Sequence, residues 1–247
     1  MRETTSAGVL GLFLAAGLAG AAYLLADAVK SIPAGNRFVT VKGLAEREVA
    51  ASQVIWPLSF NTADDDLSLL QQRMEANVQK ILDFLLQAGF SQQEISIGLP
   101  RLTDYQSQGY SRNNMPQYRY SGLMAVTVHS DKVDLAKQTM QKATLLVKEG
   151  IVLIQDYEQR PQFLYTRLNE IKPDMIAEAT RNARRAAEQF AEDSGAQVGN
   201  IRTARQGLFT ITDRDKNSPD RKKIRVVTSV EYYLAGGDRS VRAPSDL

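Results

Sequence analysis

From Thr4 to Ala26 the chain carries no charged residue, whereas from Lys30 onward short apolar-periodic segments alternate with polar turns. The two parts cannot share one environment. A 20-residue helix is about 30 Å long, the thickness of a bilayer's hydrocarbon core. The run from Ala7 to Ala26 is therefore long enough to span, and residues 1–30 read as a membrane anchor or signal-anchor ahead of a water-facing domain. Ala26-Asp27-Ala28 also fits a small-x-small cleavage site, so a cleaved signal peptide is the alternative. The run exceeds the apolar core of about 7–15 residues that such peptides carry. Gly17, Gly20 and Ala21 lie near one another on a helix, as do Ala15 and Ala19. Such spacing lets membrane helices approach closely, or reflects the small residues common in spans.

Orientation follows less directly. Arg2 precedes the span and Lys30, Arg37 and Lys42 follow it, so the basic residues alone do not place the domain outside. The short tail before the span has the layout of an export signal. The expectation is a single pass through the inner membrane with residues 31–235 in the periplasm.

Composition excludes several classes of function. Thirty basic and 28 acidic residues leave a net charge of +2, too small a field to recruit nucleic acid. The basic groups Arg181, Arg184, Arg185 and Arg221, Lys222, Lys223, Arg225 are interleaved with acids and read as solvated faces or subunit contacts. The absence of cysteine removes disulfides, thiol catalysis and thiolate metal sites. The one histidine, His129, falls on the strand face opposite Tyr118, Tyr120 and Met124 and reads as a surface residue. Asp64-Asp65-Asp66 could hold calcium, but reads first as a helix N-cap. Neither a phosphate loop nor a dinucleotide fingerprint is present, and no serine has a readable Ser-His-Asp context. The sequence thus offers no catalytic, metal or cofactor residues, and the chain does not read as an enzyme.

Periodicity predicts the elements. Phe38–Gly43 reads as a short strand. Val54, Trp56, Leu58 and Phe60 alternate as a strand with one buried face, and Pro57 marks it as an edge or a bulge. Leu67, Leu70, Met74, Val78, Ile81, Leu85 and Ala88 predict an amphipathic helix of about six turns ending at Gly89. Ile95 to about Gln106 reads as a long strand, returned by a second run through Tyr118 and Tyr120 after a polar tip at Gln108–Pro116. That is a projecting hairpin. Asp131 is the expected cap of a helix burying Val133, Ala136, Met140, Ala143 and Val147. Ile151–Ile154 starts a strand running toward Arg167. Pro173 opens a third helix, with Ile176, Thr180, Ala183, Ala187 and Phe190 on one side. Val198–Ile211 and Ile224–Leu234 read as the last strands, and residues 236–247 as a disordered tail. The predicted class is α+β: a mixed, largely antiparallel sheet with long strands and three packed helices.

These elements carry local marks. They are Val39-x-Val41-x-Gly43, Leu85-x-x-x-Gly89-Phe90 before Glu94-Ile95, Tyr118-x-Tyr120 entering a strand, and the alanine-rich helix ending in Ala191-Glu192-Asp193-Ser194-Gly195. In their order and spacing, over roughly Phe38 to Leu234, the chain resembles the SIMPL-domain family. It departs where many relatives have Pro-Asp before the second strand, reading Ala50-Ala51-Ser52-Gln53. It also has Asp193-Ser194-Gly195 where relatives often show Leu-Gly. The resemblance implies an envelope protein that assembles into a large ring- or channel-like homo-oligomer and is linked to envelope or oxidative stress. It carries over no catalytic residues. Tyr105, Tyr110, Tyr118 and Tyr120, clustered about the hairpin tip, are the candidate oligomer contact. The implied partners are further copies of the chain and the membrane through residues 7–26, with no nucleic acid. A periplasmic peptide- or glycan-binding module and a carboxylate-dependent envelope enzyme are the alternatives.

Overall fold

Strand-period and helix-period segments follow one another along the chain, and a computed structural model shows how they pair. It describes residues 17–23, 37–107, 116–154 and 159–235. Residues 17–23 are helical and exposed. The rest of the 7–26 run, the cleavage motif at 26–28 and the tail at 236–247 lie outside the described residues. Among the described residues no helix is long and apolar enough to cross a membrane.

The strands are β1 (Phe38–Ala50), β2 (Gln53–Asp64), β3 (Ile95–Ile97), β4 (Arg101–Asp104), β5 (Tyr120–Ser130), β6 (Leu153–Ile154), β7 (Gln162–Leu164), β8 (Gln197–Gln206), β9 (Thr210–Asp213) and β10 (Arg221–Ala235). The helices from residue 37 on are α1 (Leu67–Ala88), α2 (Val133–Lys142), α3 (Thr144–Lys148) and α4 (Leu168–Asp193). They form two sheets where the sequence predicts one, and every strand register resolved is antiparallel. The chain divides into two compact units. One holds residues up to Glu46, Lys172–Phe209 and Arg225 onward; the other holds Arg47–Ile171 and Thr210–Ile224.

The first unit is built on the order β1-β10-β8. β10 runs antiparallel to β8, from Thr228 opposite Gln206 to Ala235 opposite Gln197. On its other flank the Leu234 amide donates to the Arg37 carbonyl. Val41 and Ala45 of β1 and Val226, Thr228, Val230 and Tyr232 of β10 are buried, while Thr40, Lys42 and Leu44 alternate with the former and are exposed. This is the period of a sheet covered on one side. The cover is α4, whose buried row is Met175, Ala179, Ala183, Ala187 and Ala191.

That row corrects the expected one. Phe190 is 59% exposed, and the helix turns in its alanines, not its largest side chains. Gly43 explains the choice. A Cβ built at Gly43 would lie 1.8 Å from the Ala179 carbonyl oxygen and 2.4 Å from the Ala183 amide nitrogen. Helix backbone and strand backbone are in direct contact there, and only Gly against Ala leaves the room. Gly43 is thus the middle of a 13-residue strand and not its end. The start of α4 is also earlier than predicted, at Leu168, so Pro173 sits inside the helix and removes one i→i−4 bond near its beginning.

In the second unit the order is β3-β5-β2-β6, with β4 also on β5 and β7 also on β2. The β2–β5 ladder is continuous from Val54 opposite Ser130 to Asp64 opposite Tyr120. One face contributes Val54, Trp56, Leu58, Phe60, Val126 and Val128 to a core closed by Leu70, Met74, Val78, Ile81 and Leu85 of α1. Asp66 caps α1, accepting from the Ser68 and Leu69 amides at 2.7 and 3.0 Å, and Gly89 ends it at φ 107°. Such a cap is worth about 1 kcal/mol.

Three expectations change here. The segment from Val133 breaks at Ala143, whose amide bonds back three residues to Met140, giving a fourth helix. The break rotates Leu146 inward and leaves Val147 55% exposed. Asp131 does not cap α2; the N-cap is Lys132, and its amide donates to Ser130 Oγ at 3.0 Å. The long strand at 95–106 is two pieces, because Gly98-Leu99-Pro100 slips the ladder by one residue: Ile97 pairs with Val126, but Arg101 pairs with Leu123.

Gly43→Ala should therefore destabilise the protein far more than a usual Gly→Ala change in a strand. The expected loss is about 3 kcal/mol or more, at the upper end of overpacking costs, read by denaturant unfolding. A loss below 0.5 kcal/mol on the same scale would show that α4 can lift off β1 freely.

Candidate functional site

The tyrosines predicted at the hairpin tip meet different fates. Tyr120 is the first residue of β5, opposite both Asp64 and Asp104, and packs against the α1 core. The Arg119 guanidinium lies 4.7 Å above its ring. Arg119 also grips Asp104 with two hydrogen bonds, Nε to Oδ1 at 3.3 Å and Nη2 to Oδ2 at 3.0 Å. That pairing holds the Asp104 carboxyl below its ordinary range. The Tyr105 amide donates to the Arg119 carbonyl at 3.0 Å, so the hairpin ladder extends one pair past the end of β2. Tyr118 is 41% exposed. Tyr110 lies outside the described residues, as do positions 108–115 of the tip. Tyr105 and Tyr118 are thus set at the end of the β4–β5 ladder, while Tyr120 is a packing residue.

The aspartate run is structural throughout. Asp66 caps α1, Asp64 pairs with Arg73 at 3.0 Å, and Asp65 accepts the Arg119 amide at 2.9 Å. His129 is exposed, as the alternation requires.

A feature that sequence reasoning missed lies on the other flank of β2. β6 pairs with Ser59 and Phe60, and β7 pairs with Gln53, Val54 and Ile55. Between them Trp56, Pro57 and Leu58 have no strand partner on that flank among the described residues. Pro57 brings no amide donor, and a proline in an otherwise internal strand is tolerated where one side needs no ladder. The strand is internal and not an edge, one of the two expectations from Pro57, and the proline falls between the β6 and β7 pairings. A cleft of about 860 Å³ opens there, walled by Trp56–Ser59, by Met140 and Ala143 at the end of α2, and by Phe163 of β7. Ser59 Oγ and Gln159 Oε1, from two residues of its wall, are buried without a hydrogen-bond partner. Leaving such a group unmade costs about 1–3 kcal/mol. The one sequence signal was a proline inside a strand with flawless alternation.

A third cluster combines serine, lysine and carboxylate. Glu94 accepts from the Ser91 amide at 2.8 Å, the Ser91 hydroxyl at 2.9 Å and Lys132 Nζ at 2.8 Å, and its other oxygen takes the Ser130 hydroxyl. Lys132 also donates to the Gly89 carbonyl at 3.2 Å. Both serine hydroxyls and two of the three Lys132 donors go to the carboxylate or the backbone, so the group is a clasp between the turn at Gln92–Glu94 and the end of β5. Burial pushes the Glu94 carboxyl up, and the bonds from Lys132, Ser130 and Ser91 together outweigh it, bringing it down to about 2.

The family model of SIMPL, described as a protein of unknown function (DUF541), matches residues 39–241. The chain belongs to the SIMPL family. No curated protein matches it. The SIMPL match runs through both compact units. It covers the Gly43 contact with α4, the Ser91–Glu94 turn, the hairpin ladder and the interrupted flank of β2.

The clasp predicts an acid-sensitive contribution to stability. Because the folded carboxyl titrates near 2 and an ordinary one near 4.5, the contribution is complete above pH 4.5 and is lost as the pH falls from there through about 2. Glu94→Gln should lower the unfolding free energy by about 2 kcal/mol at pH 7, and by steadily less toward pH 2. A wild-type and variant difference that is constant from pH 7 to pH 2 would contradict this account.

Proposed function

We propose that this SIMPL-family chain is an envelope protein anchored in the inner membrane through residues 7–26, with its domain in the periplasm. In this reading it works by assembling with copies of itself into a large ring- or channel-like homo-oligomer, in protection against envelope or oxidative stress. The observation that carries the proposal is the outer flank of β3 and β4. Ile97, Leu99 and Leu102 are 50%, 94% and 52% exposed there; Ile97 and Leu102 are on strands that have no partner on that side among the described residues, and Leu99 is in the link between them.

Natural proteins blunt free sheet edges with charge or cover. β1 shows that treatment: Lys42, Glu46 and Glu48 are exposed along it, and the Asn182 amide covers the Leu44 carbonyl at 2.6 Å. The β3–β4 edge carries three aliphatic side chains instead. Tyr105 and Tyr118 continue it at the end of the hairpin. Exposed apolar residues gathered on a strand edge are the chemistry of an interface. Closure into a ring requires that this edge meet a different surface on the next copy, so that the contact repeats by rotation.

Sedimentation velocity tests the reading. The full chain in detergent should form one discrete assembly, and a chain lacking residues 1–30 should retain it. Leu99→Lys with Leu102→Lys should weaken association about tenfold or more, the equivalent of 1.4 kcal/mol, with unchanged circular dichroism. A monomer at high micromolar concentration, or a double variant that assembles like wild type, would overturn the proposal.

A further inference from the structure

We propose that the arginine face of α4 docks on the anionic phospholipid head groups of the membrane in which the chain is anchored. The inference rests on that anchoring and not on self-assembly. Arg181, Arg184 and Arg185 are exposed, and their spacing of three and four residues sets them side by side on one face of the helix. Together with Glu188 they line a hollow of about 410 Å³. This face is turned away from the sheet, because Ala179, Ala183 and Ala187 make up the buried side of α4.

The charge here is held in place and only partly neutralised. Arg184 pairs with Glu188 at 2.9 Å, and its guanidinium lies 5.9 Å from the centre of the Tyr232 ring. Arg185 donates to Asn182 Oδ1, and the Asn182 amide donates in turn to the Leu44 carbonyl at 2.6 Å. An uncharged side chain fastened to β1 thus orients Arg185. Arg181 makes no hydrogen bond or ion pair among the described residues. Three arginines against one glutamate leave two positive charges in the hollow; Glu178 and Glu192 lie on α4 outside it. A guanidinium meets two phosphate oxygens with parallel hydrogen bonds, so phosphate is the anion that suits this face.

The tether says where the phosphate comes from. Eleven residues, 27–37, separate the uncharged 7–26 run from Phe38 at the start of β1. Fully extended, they reach at most about 40 Å. The first compact unit, which holds Phe38–Glu46 and Lys172–Phe209, therefore begins within that distance of the head groups. Tethering raises the effective concentration of the lipid surface, so contacts too weak to recruit a free domain suffice here. An anionic surface attracts each nearby arginine, and the attraction falls off within a Debye length.

The full chain has no cysteine, so one fluorophore can be placed at Ala177→Cys, exposed one turn ahead of Arg181, or at Thr40→Cys, on the sheet face opposite Val41. Each labelled chain enters lipid nanodiscs whose head groups carry a nitroxide quencher. The discs are phosphatidylcholine alone or an equal mixture with phosphatidylglycerol. Quenching at position 177 should rise about twofold or more from neutral to anionic discs, and position 40 should change little. The rise should disappear at about 1 M salt, where the Debye length is about 3 Å. It should also disappear with Arg181→Ala plus Arg185→Ala, with circular dichroism unchanged. Equal quenching at 177 and 40, or a rise that survives the double variant, would overturn the proposal. Quenching that follows the number of chains per disc instead of lipid charge would assign the face to a second copy and overturn it as well. A chain that does not enter discs at all would contradict the anchor itself, and this inference with it.

Discussion

The contact of α4 with β1 at Gly43 sets the geometry of the first unit. Helix backbone rests on strand backbone, with the Ala179 carbonyl and the Ala183 amide at distances no side chain could occupy. Several features follow from it. The helix must present a row of small residues, so Ala179, Ala183, Ala187 and Ala191 turn inward and Phe190 turns out. Val41, Val230 and Tyr232 then fill the space beside the alanines. β1 continues through Gly43 to Ala50. In the second unit the corresponding constraint is the unbroken β2–β5 ladder, against which α1 lays its apolar row.

Much of this was legible because period and punctuation agreed. The 3.6-residue repeat of α1, its aspartate cap and Gly89 at its end all point one way, and the helix stands where the pattern puts it. β10 was legible for the same reason, since Ile224, Val226, Val230 and Tyr232 leave one alternation open. Errors arose where tertiary contact overrode local preference. The row chosen in α4 was set by Gly43, a residue far away in sequence. The break at Ala143 and the slip at Gly98–Pro100 are local backbone events that periodicity, averaged over a window, smooths away. One sheet became two at Ala51-Ser52, where two alternating strands abut with nothing in their apolar pattern to say which partners each will take.

The candidate site was less legible, and for a related reason. The Glu94 clasp shows in the sequence only as Ser91-x-x-Glu94, a local motif; Ser130 at the end of β5 and Lys132 at the start of α2 complete it from far along the chain. Tyr120 looked like its neighbours Tyr105 and Tyr118 until the ladder placed it over the α1 core. The cleft lies where β6 and β7 reach β2 at two separate stretches. That is a property of three segments together, and Pro57 alone could only hint at it.

The proposed self-association rests on the apolar β3–β4 edge. Hydrogen–deuterium exchange across a dilution series tests it most directly. If copies associate there, the amides of Ile97, Leu99 and Leu102 become protected as concentration rises, while those along the charged flank of β1 do not change. Protection of the β3–β4 amides that is the same at every concentration, with the chain assembled at the upper end of the series, would contradict the account.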